Sequence, residues 1–243
     1  MHEDTRGFEP GRLAWRGGAM LFDRQRVAAP APALLDPASY GQAAVQVGEG
    51  GRSAAWFVHG DAGAAVLRRY RRGGLTAKLG RRDYLWLGEA RTRSFAEFRL
   101  LHAMWREGLP VPRPLAAAYW RRGIFYAGAI LVERIAGARA LAQVMDDGAS
   151  CQAAAQAIAR MHRAGVWHAD LNAYNVLLDP AGAAWLIDFD RGRRLARLSD
   201  AAREANLRRL RRSMAKLAGE RGDRAWQVLA QAYRSAWDAG VVG

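Results

Sequence analysis

The stretch that decides the fold is HADLNAYNVLL at residues 168–178, followed by IDFD at residues 187–190. It carries three oxygen-bearing side chains in order, because Asn175 lies 5 residues and Asp188 lies 18 residues after Asp170. Two short apolar runs, residues 176–178 and 184–187, flank the turn-forming sequence DPAG and predict a hairpin. Such a hairpin would bring the three side chains close together.

These residues resemble the catalytic loop H-x-D-L-x-x-x-N of eukaryotic-type protein kinases and their metal-binding D-F-G segment, here D-F-D. The resemblance implies ATP as the donor, Asp170 as the residue that orients and deprotonates the acceptor hydroxyl, and Mg²⁺ as the metal. Asn175 and Asp188 are then the Mg²⁺ ligands, and His168 organises the loop rather than acting as the base. Taken singly, Asp170, Asn172 and Asn175 are also common turn residues, and Asp188 is compatible with a solvated strand end.

The residues before this segment predict a small antiparallel sheet with one main helix. Strand-like runs lie at residues 43–47, 54–59, 64–70, 115–120 and 124–133. Apolar residues at helical spacing predict a helix over residues 94–107, which the sequence Gly108-Leu109-Pro110 ends. Residues 1–40 carry scattered Gly, Pro and single apolar residues without a sustained period, so we expect an irregular N-terminal extension there.

From Gly137 onward the sequence is mainly helical, with helical patterns at residues 140–146, 150–164, 200–218 and 223–238. We therefore predict an α+β protein with a bilobal, protein-kinase-like fold. Residues 41–136 would form an antiparallel-sheet N-lobe with one main helix, and residues 137–243 a mainly helical C-lobe. The kinase resemblance places ATP between the lobes, with Glu133 and Ile135 in the hinge that contacts the nucleotide.

A glycine cluster between two predicted strands is a candidate phosphate-binding loop. Gly48, Gly50 and Gly51 lack side chains, so their backbone N–H groups can approach an anion closely. The kinase form of this loop needs a glycine where this chain has Ser53. A plain hairpin turn is therefore an open alternative.

The kinase resemblance places Arg68 where a strand lysine binds the α- and β-phosphates, and Glu97 where a helix glutamate pairs with that lysine. An arginine also binds phosphates, and does so bidentately, but it is bulkier and pairs with a glutamate in a different geometry. The sequence SFAE at residues 94–97 also matches a capping box, in which Glu97 would instead satisfy amides at the helix N-terminus.

A narrower resemblance runs from about residue 51 to residue 194. It rests on GRSAAWFV (51–58), VLRRYRRGGL (66–75), RTRSFAEFRLL (91–101), GLPVPRP (108–114) and DFDRG (188–192). These runs are similar to the 3-deoxy-D-manno-octulosonic acid (Kdo) kinase family, in which the arginine belongs to an R-x-Y-R-R-G-G-L run on the lysine strand. The resemblance implies transfer of phosphate from ATP to the 4-hydroxyl of Kdo on the lipid A precursor, in lipopolysaccharide core biosynthesis. The position of Asp190, Arg191 and Arg193 after Asp188 makes them candidates for contact with the Kdo carboxylate.

Charge and composition bear on the partners. Lys and Arg number 37 against 23 Asp and Glu, for a net charge of +14, and residues 68–82 hold seven basic residues and no acidic one. We expect that segment to bind lipid phosphates or an anionic membrane surface; a solvated basic loop is the alternative. No apolar run approaches the about 20 residues of a membrane span, the acidic N-terminus is unlike a signal peptide, and the single cysteine excludes an internal disulfide. We expect a monomer, peripheral at the cytoplasmic face of the inner membrane.

Two other functions are open at this point. A small-molecule kinase of the aminoglycoside-phosphotransferase type shares the His-x-Asp, Asn and Asp set, and soluble aminosugar acceptors would distinguish it. The arginine-rich residues 203–216 are compatible with RNA binding on a degenerate kinase fold. However, they lack interleaved aromatic residues, and their leucines predict a packed helix face, so we expect no nucleic-acid partner.

Overall fold

The computed structural model describes residues 7–47, 55–70 and 84–239. The chain divides into two units, Met1–Arg106 with Arg113–Arg134, and Glu107–Pro112 with Ile135–Gly243. The first unit is built on an antiparallel sheet and the second is mainly helical, so the protein is a mixed α+β protein, as predicted. Among the residues described, no helix combines the length and the apolar character that crossing a membrane requires.

The sheet of the first unit has eight strands within the described residues, in the order β1-β2-β7-β8-β5-β4-β3, with β6 paired to β8. All of its strand pairs are antiparallel. The strands are β1 (Pro10–Trp15), β2 (Gly18–Asp23), β3 (Ala44–Val47), β4 (Ala55–Gly60), β5 (Gly63–Arg69), β6 (Tyr84–Leu85), β7 (Pro114–Arg122) and β8 (Phe125–Glu133).

Helix α1 (Arg93–Arg106) packs on β7 and β8, close to the predicted bounds of 94–107. Its buried stripe is Phe95, Phe98, Leu101 and Met104, the helical spacing read from the sequence. Strand β7 is buried on both faces over Pro114–Tyr119, which explains its run of small alanines instead of an alternating pattern. Strands β7 and β8 of the sheet thus form the surface on which α1 packs.

The prediction of an irregular extension over residues 1–40 is wrong, because β1 and β2 form a hairpin that joins the sheet through β7. Gly17 supplies the turn with a φ of 83°, and β2 is buried along most of its length, so it shows no alternating pattern. Asp23, fully buried at the end of β2, accepts a hydrogen bond from Nε of Arg113 at 2.6 Å, and an Nη atom of Arg113 lies 2.5 Å from the same oxygen. A long-range ion pair therefore fixes this hairpin at a place where local sequence patterns are weak.

The second unit consists of four helices and short strand pairs within the described residues. The helices are α2 (Leu141–Val144), α3 (Gly148–Arg163), α4 (Asp200–Ala218) and α5 (Glu220–Ala239). Its strands are β9 (Arg139–Ala140), β10 (Val166–Trp167), β11 (Val176–Leu178), β12 (Ala184–Leu186) and β13 (Arg193–Arg194). Helix α5 packs on α3 and α4, and the predicted hairpin is formed by β11 and β12.

Candidate active site

His168 organises the loop between β10 and β11, as the sequence predicted. Its Nδ1 atom accepts the backbone N–H of Asp170 at 3.0 Å, and its Nε2 atom lies 2.9 Å from the carbonyl oxygen of Ile187. Because a carbonyl oxygen only accepts, Nε2 carries the proton of a neutral ring. Burial lowers the pKa of His168, which is consistent with this neutral form. The imidazole therefore bridges the loop to the segment that carries Asp188.

Helix α4 holds this loop from the other side. Asn206, which is buried, accepts the backbone N–H of His168 at 3.1 Å and donates to the carbonyl oxygen of His168 at 2.8 Å. Two helical turns further along, the hydroxyl of Ser213 accepts the backbone N–H of Ala173 at 3.2 Å. The loop is thus fixed at two points to a helix that begins about 25 residues after it ends.

The structure brings Asp170, Asn175 and Asp188 together. The side-chain amides of Asn172 and Asn175 donate to the carbonyl oxygen of Asp170 at 3.0 and 2.8 Å. The backbone N–H of Ile187 donates to the carbonyl oxygen of Asn175 at 3.0 Å, which sets the residue before Asp188 beside Asn175. Two residues separated by 13 positions in the chain are therefore neighbours across the β11–β12 hairpin.

Asp188 has a left-handed backbone conformation, with a φ of 63°. A residue with a Cβ atom adopts this region at a cost of about 1 kcal/mol, and aspartate tolerates it better than most. The conformation is held on both sides, because Ile187 is bonded to His168 and the ring of Phe189 is fully buried against His168. The contacts of Ile187 and Phe189 thus fix the backbone position from which the side chain of Asp188 extends.

The donor set in this hairpin fits Mg²⁺. Asn175 uses its Nδ2 atom on Asp170, so its amide oxygen is the atom that could bind a metal, and Asp188 has a half-buried carboxylate. Both are oxygen donors, which Mg²⁺ prefers, and one or two protein ligands suffice when phosphates and water complete the coordination.

In the first unit, Glu97 is bonded at both carboxylate oxygens. Its Oε1 atom accepts from Arg68 at 2.5 Å, and its Oε2 atom accepts from the hydroxyl of Tyr70. Glu97 is only 2% exposed, so its partners are held in place by a buried charge. The capping-box alternative is wrong, because α1 already begins at Arg93 and Ser94 lies inside it.

The other residues predicted to contact the nucleotide are either outside the described residues or bonded within the protein. Gly48, Gly50 and Gly51 lie outside the described residues, as does most of the basic segment 68–82. Glu133 ends β8, where its carboxylate accepts from Arg26 and its N–H donates to the carbonyl oxygen of Arg113, both at 2.9 Å. Ile135 is the first residue of the longer of the two segments that make up the second unit. A nucleotide-binding role for these residues stays a prediction.

Asp170 has an ionic partner that the sequence did not suggest. The Nε atom of Arg209, on α4, donates to its Oδ1 atom at 2.7 Å, and an Nη atom of Arg209 contacts the same oxygen. Both side chains are about half exposed, at 48% and 49%. The only available signal was spacing, because Asn206, Arg209 and Ser213 recur on one helical face.

The three residues suggested for the Kdo carboxylate follow directly after Phe189. Asp190 is half-buried, and Arg191 is exposed with a φ of 61°. Arg193 is exposed in β13, where it pairs with Trp167 of β10. Their proposed contact with a sugar stays a prediction.

A carboxylate set in a loop by a neutral histidine, with an amide and a second carboxylate on the adjoining hairpin, is the apparatus of a phosphotransferase. The sequence matches the lipopolysaccharide kinase (Kdo/WaaP) family over residues 40–233, and the chain belongs to this family. It is 51% identical over 232 residues to the 3-deoxy-D-manno-octulosonic acid kinase of Stenotrophomonas maltophilia (strain K279a), with 92% of each chain covered. It is 48% identical over an alignment of 244 residues to the enzyme of that name from Xanthomonas euvesicatoria pv. vesicatoria (strain 85-10), with 97% of each chain covered. The family resemblance read from the sequence is confirmed.

Proposed function

We propose that this protein is a Kdo kinase, which transfers the γ-phosphoryl group of ATP to the 4-hydroxyl of a Kdo residue on the lipid A precursor. The observation that carries the chemistry is the hydrogen-bonded unit that joins Asp170, Asn175 and the backbone beside Asp188. The relatives support Kdo as the acceptor sugar, since proteins about half identical to this chain are named 3-deoxy-D-manno-octulosonic acid kinase.

Asp170 orients the acceptor hydroxyl and accepts its proton during the attack. Its backbone is held at the N–H by His168 and at the carbonyl by Asn172 and Asn175, so the carboxylate starts from a fixed position. A preorganised base spares the reaction the entropy of positioning, and proton transfer by such a group contributes about 10²–10⁴-fold to the rate.

The remaining residues act on the phosphates. Mg²⁺, when bound, would neutralise charge on the β- and γ-phosphates. Asn175 and Asp188 would hold it, and Arg68, kept in place by Glu97, would neutralise the other phosphate oxygens. In this proposal Gly48, Gly50 and Gly51 cover the phosphates, and Glu133 and Ile135 contact the base. The first unit then corresponds to the N-lobe and the second to the C-lobe of a protein-kinase-like fold, with residues 41–136 and 137–243 as their main parts.

The decisive experiment is mass spectrometry of the Kdo-bearing lipid A precursor after incubation with ATP, Mg²⁺ and the protein. We expect a phosphate on Kdo with the wild type and with Asp223→Ala, an exposed carboxylate on α5 that serves as the control. Asp170→Ala should bind ATP but form no product. Full turnover by Asp170→Ala would refute the assignment of the base.

The second candidate is a kinase of soluble aminosugars, which has the same catalytic set. ATP binding without phosphorylation of the Kdo acceptor, together with turnover of an aminosugar, would favour it. If neither product nor ATP binding were observed, RNA binding would be the next activity to measure.

We also propose that the protein acts as a monomer at the cytoplasmic face of the inner membrane. The net charge of +14 and the basic segment 68–82 support attraction to anionic lipids. Replacing Arg71, Arg72, Arg81 and Arg82 together by Gln should weaken sedimentation with anionic liposomes. Unchanged liposome binding and unchanged lipid turnover would contradict this location.

A further inference from the structure

We infer that Arg209 binds an anionic group of the acceptor beside Asp170, and that it occupies the Asp170 carboxylate until the acceptor arrives. The inference rests on the proposed kinase activity and adds a residue for acceptor recognition. The class of ligand group is an anion with two or more terminal oxygens, either the carboxylate of Kdo or a phosphate of the lipid.

The contact occupies one of the two oxygens of the carboxylate that the proposed reaction needs. Two nitrogen atoms of Arg209 donate to Oδ1 of Asp170, one of them at 2.7 Å. The acceptor hydroxyl must hydrogen-bond to this carboxylate before it can lose its proton. A guanidinium on Oδ1 competes with that hydroxyl for this oxygen, so the inference has Arg209 leave Oδ1, or share the carboxylate with the acceptor, during each turnover.

The pair is easy to exchange. Both side chains are about half exposed, and ion pairs of this exposure contribute about 0–1 kcal/mol to stability. Arg209 directs two donors at a single oxygen of Asp170, whereas its planar fork matches two oxygens of one anion. A carboxylate or phosphate brought by the acceptor therefore offers the guanidinium a better-matched partner at little cost.

Helix α4 is bonded to the catalytic loop, so Arg209 cannot leave Asp170 by a movement of the helix. Asn206 and Ser213, on either side of Arg209, are bonded to the backbone of the catalytic loop. Exchange is thus confined to the side chain, and the guanidinium stays within reach of the base. In the described part of the chain, the other α4 ion pairs join Arg203 to Asp200 and Arg208 to Glu204, away from residues 168–175.

Steady-state kinetics with the Kdo-bearing precursor test this role. Arg209→Gln should raise KM for the acceptor by about tenfold to a hundredfold, the usual effect of losing a charged hydrogen bond. We expect KM for ATP to stay within about twofold, because Arg209 is inferred to bind the acceptor and not the nucleotide. Arg209→Lys should recover part of the loss. Arg211→Gln is the matched control, since Arg211 is exposed on the same helix and forms no ion pair within the residues described.

Two altered acceptors identify the anion. One has the Kdo carboxylate as a methyl ester, and the other has its lipid phosphates removed. The wild type should lose acceptor affinity with only one of them, and Arg209→Gln should show no further loss with that same acceptor. Equal losses in the wild type and in Arg209→Gln on both acceptors would overturn the inference.

Other results would also overturn it. If Arg209→Gln had the same acceptor KM as Arg211→Gln, or raised KM for ATP instead, Arg209 would not bind the acceptor. These outcomes leave the proposed function intact, because they require product from the wild type. Absence of product from the wild type would refute the proposed function and this inference with it.

Discussion

Two arginine–carboxylate pairs, one in each unit, show how differently the same chemistry is used. Glu97 is 2% exposed and its partner Arg68 is 19% exposed, whereas Asp170 and Arg209 are each about half exposed. Glu97 is also bonded to Tyr70, so both of its oxygens have partners within the protein. The Asp170 pair uses only one carboxylate oxygen.

The difference shows that burial determines whether an ion pair keeps the same partners or can exchange them for a ligand or water. Separating a buried pair leaves a charge without compensation, which costs several kcal/mol. Separating an exposed pair costs little, because water replaces each partner. The Arg68–Glu97 pair is therefore suited to keeping the guanidinium of Arg68 in one place. The Arg209–Asp170 pair is suited to freeing Asp170, the proposed base, when a ligand binds.

The largest expected effect comes from breaking the buried pair. Glu97→Ala leaves Arg68 mostly buried without its carboxylate, so we expect the free energy of unfolding to fall by about 3–5 kcal/mol. Urea denaturation followed by tryptophan fluorescence measures this change. Glu204→Ala, which removes a 58% exposed partner of Arg208, is the control and should cost less than about 1 kcal/mol. Equal losses in the two variants would contradict the comparison.

A smaller expected effect is a loss of stability at low pH that arises in the second unit. It is expected because the loop that carries Asp170 is held by histidines that are buried in their neutral form. Burial lowers the pKa of His162 to about 4, and this ring is bonded to Tyr233 and to Asn206, which holds His168. The unfolded state then binds the proton first, near its ordinary pKa of about 6.5, so stability is full above that pH and falls as the pH drops towards 4.

From pH 7 to pH 5 this histidine should therefore cost about 2 kcal/mol of stability. Urea denaturation at both pH values measures the loss, and His162→Gln should remove that part of it. His59→Gln, which replaces an exposed histidine on β4, is the control. A wild-type loss that persists unchanged in His162→Gln would show that other groups are responsible.

The smallest expected effect on stability comes from breaking the exposed pair. Asp170→Ala should change the free energy of unfolding by less than about 1 kcal/mol, even though the proposed function expects it to abolish transfer. The same urea titrations give this value. A loss comparable with that of Glu97→Ala would mean that Asp170 is a structural residue and that its pair with Arg209 is not exchangeable.

The parts of the site that the sequence predicted are those held by short-range chemistry. Asp170, Asn175 and Asp188 lie within about twenty residues, and a turn between two apolar runs is enough to bring them together. The stripe of α1 and the strands β3 to β5 likewise follow local periodicity.

The missed features depend on partners distant in the chain. The β1–β2 hairpin is fixed by the sheet and by the pair between Asp23 and Arg113, which are 90 residues apart. Arg209 lies 39 residues after Asp170, in a helix whose arginines are compatible with any phosphate-bearing partner when read alone. Its contact becomes visible only once Asn206 and Ser213 have set the register of α4 against the loop.

The left-handed backbone at Asp188 restricts which residues evolution can place there. A φ of 63° favours glycine, asparagine and aspartate, because other side chains crowd the backbone. The proposed role as a charged Mg²⁺ ligand favours aspartate and glutamate. Aspartate alone belongs to both sets, so a saturation library at this position should yield a single active residue. Glycine and asparagine would keep the fold without the charge, and glutamate would keep the charge at the expense of the turn.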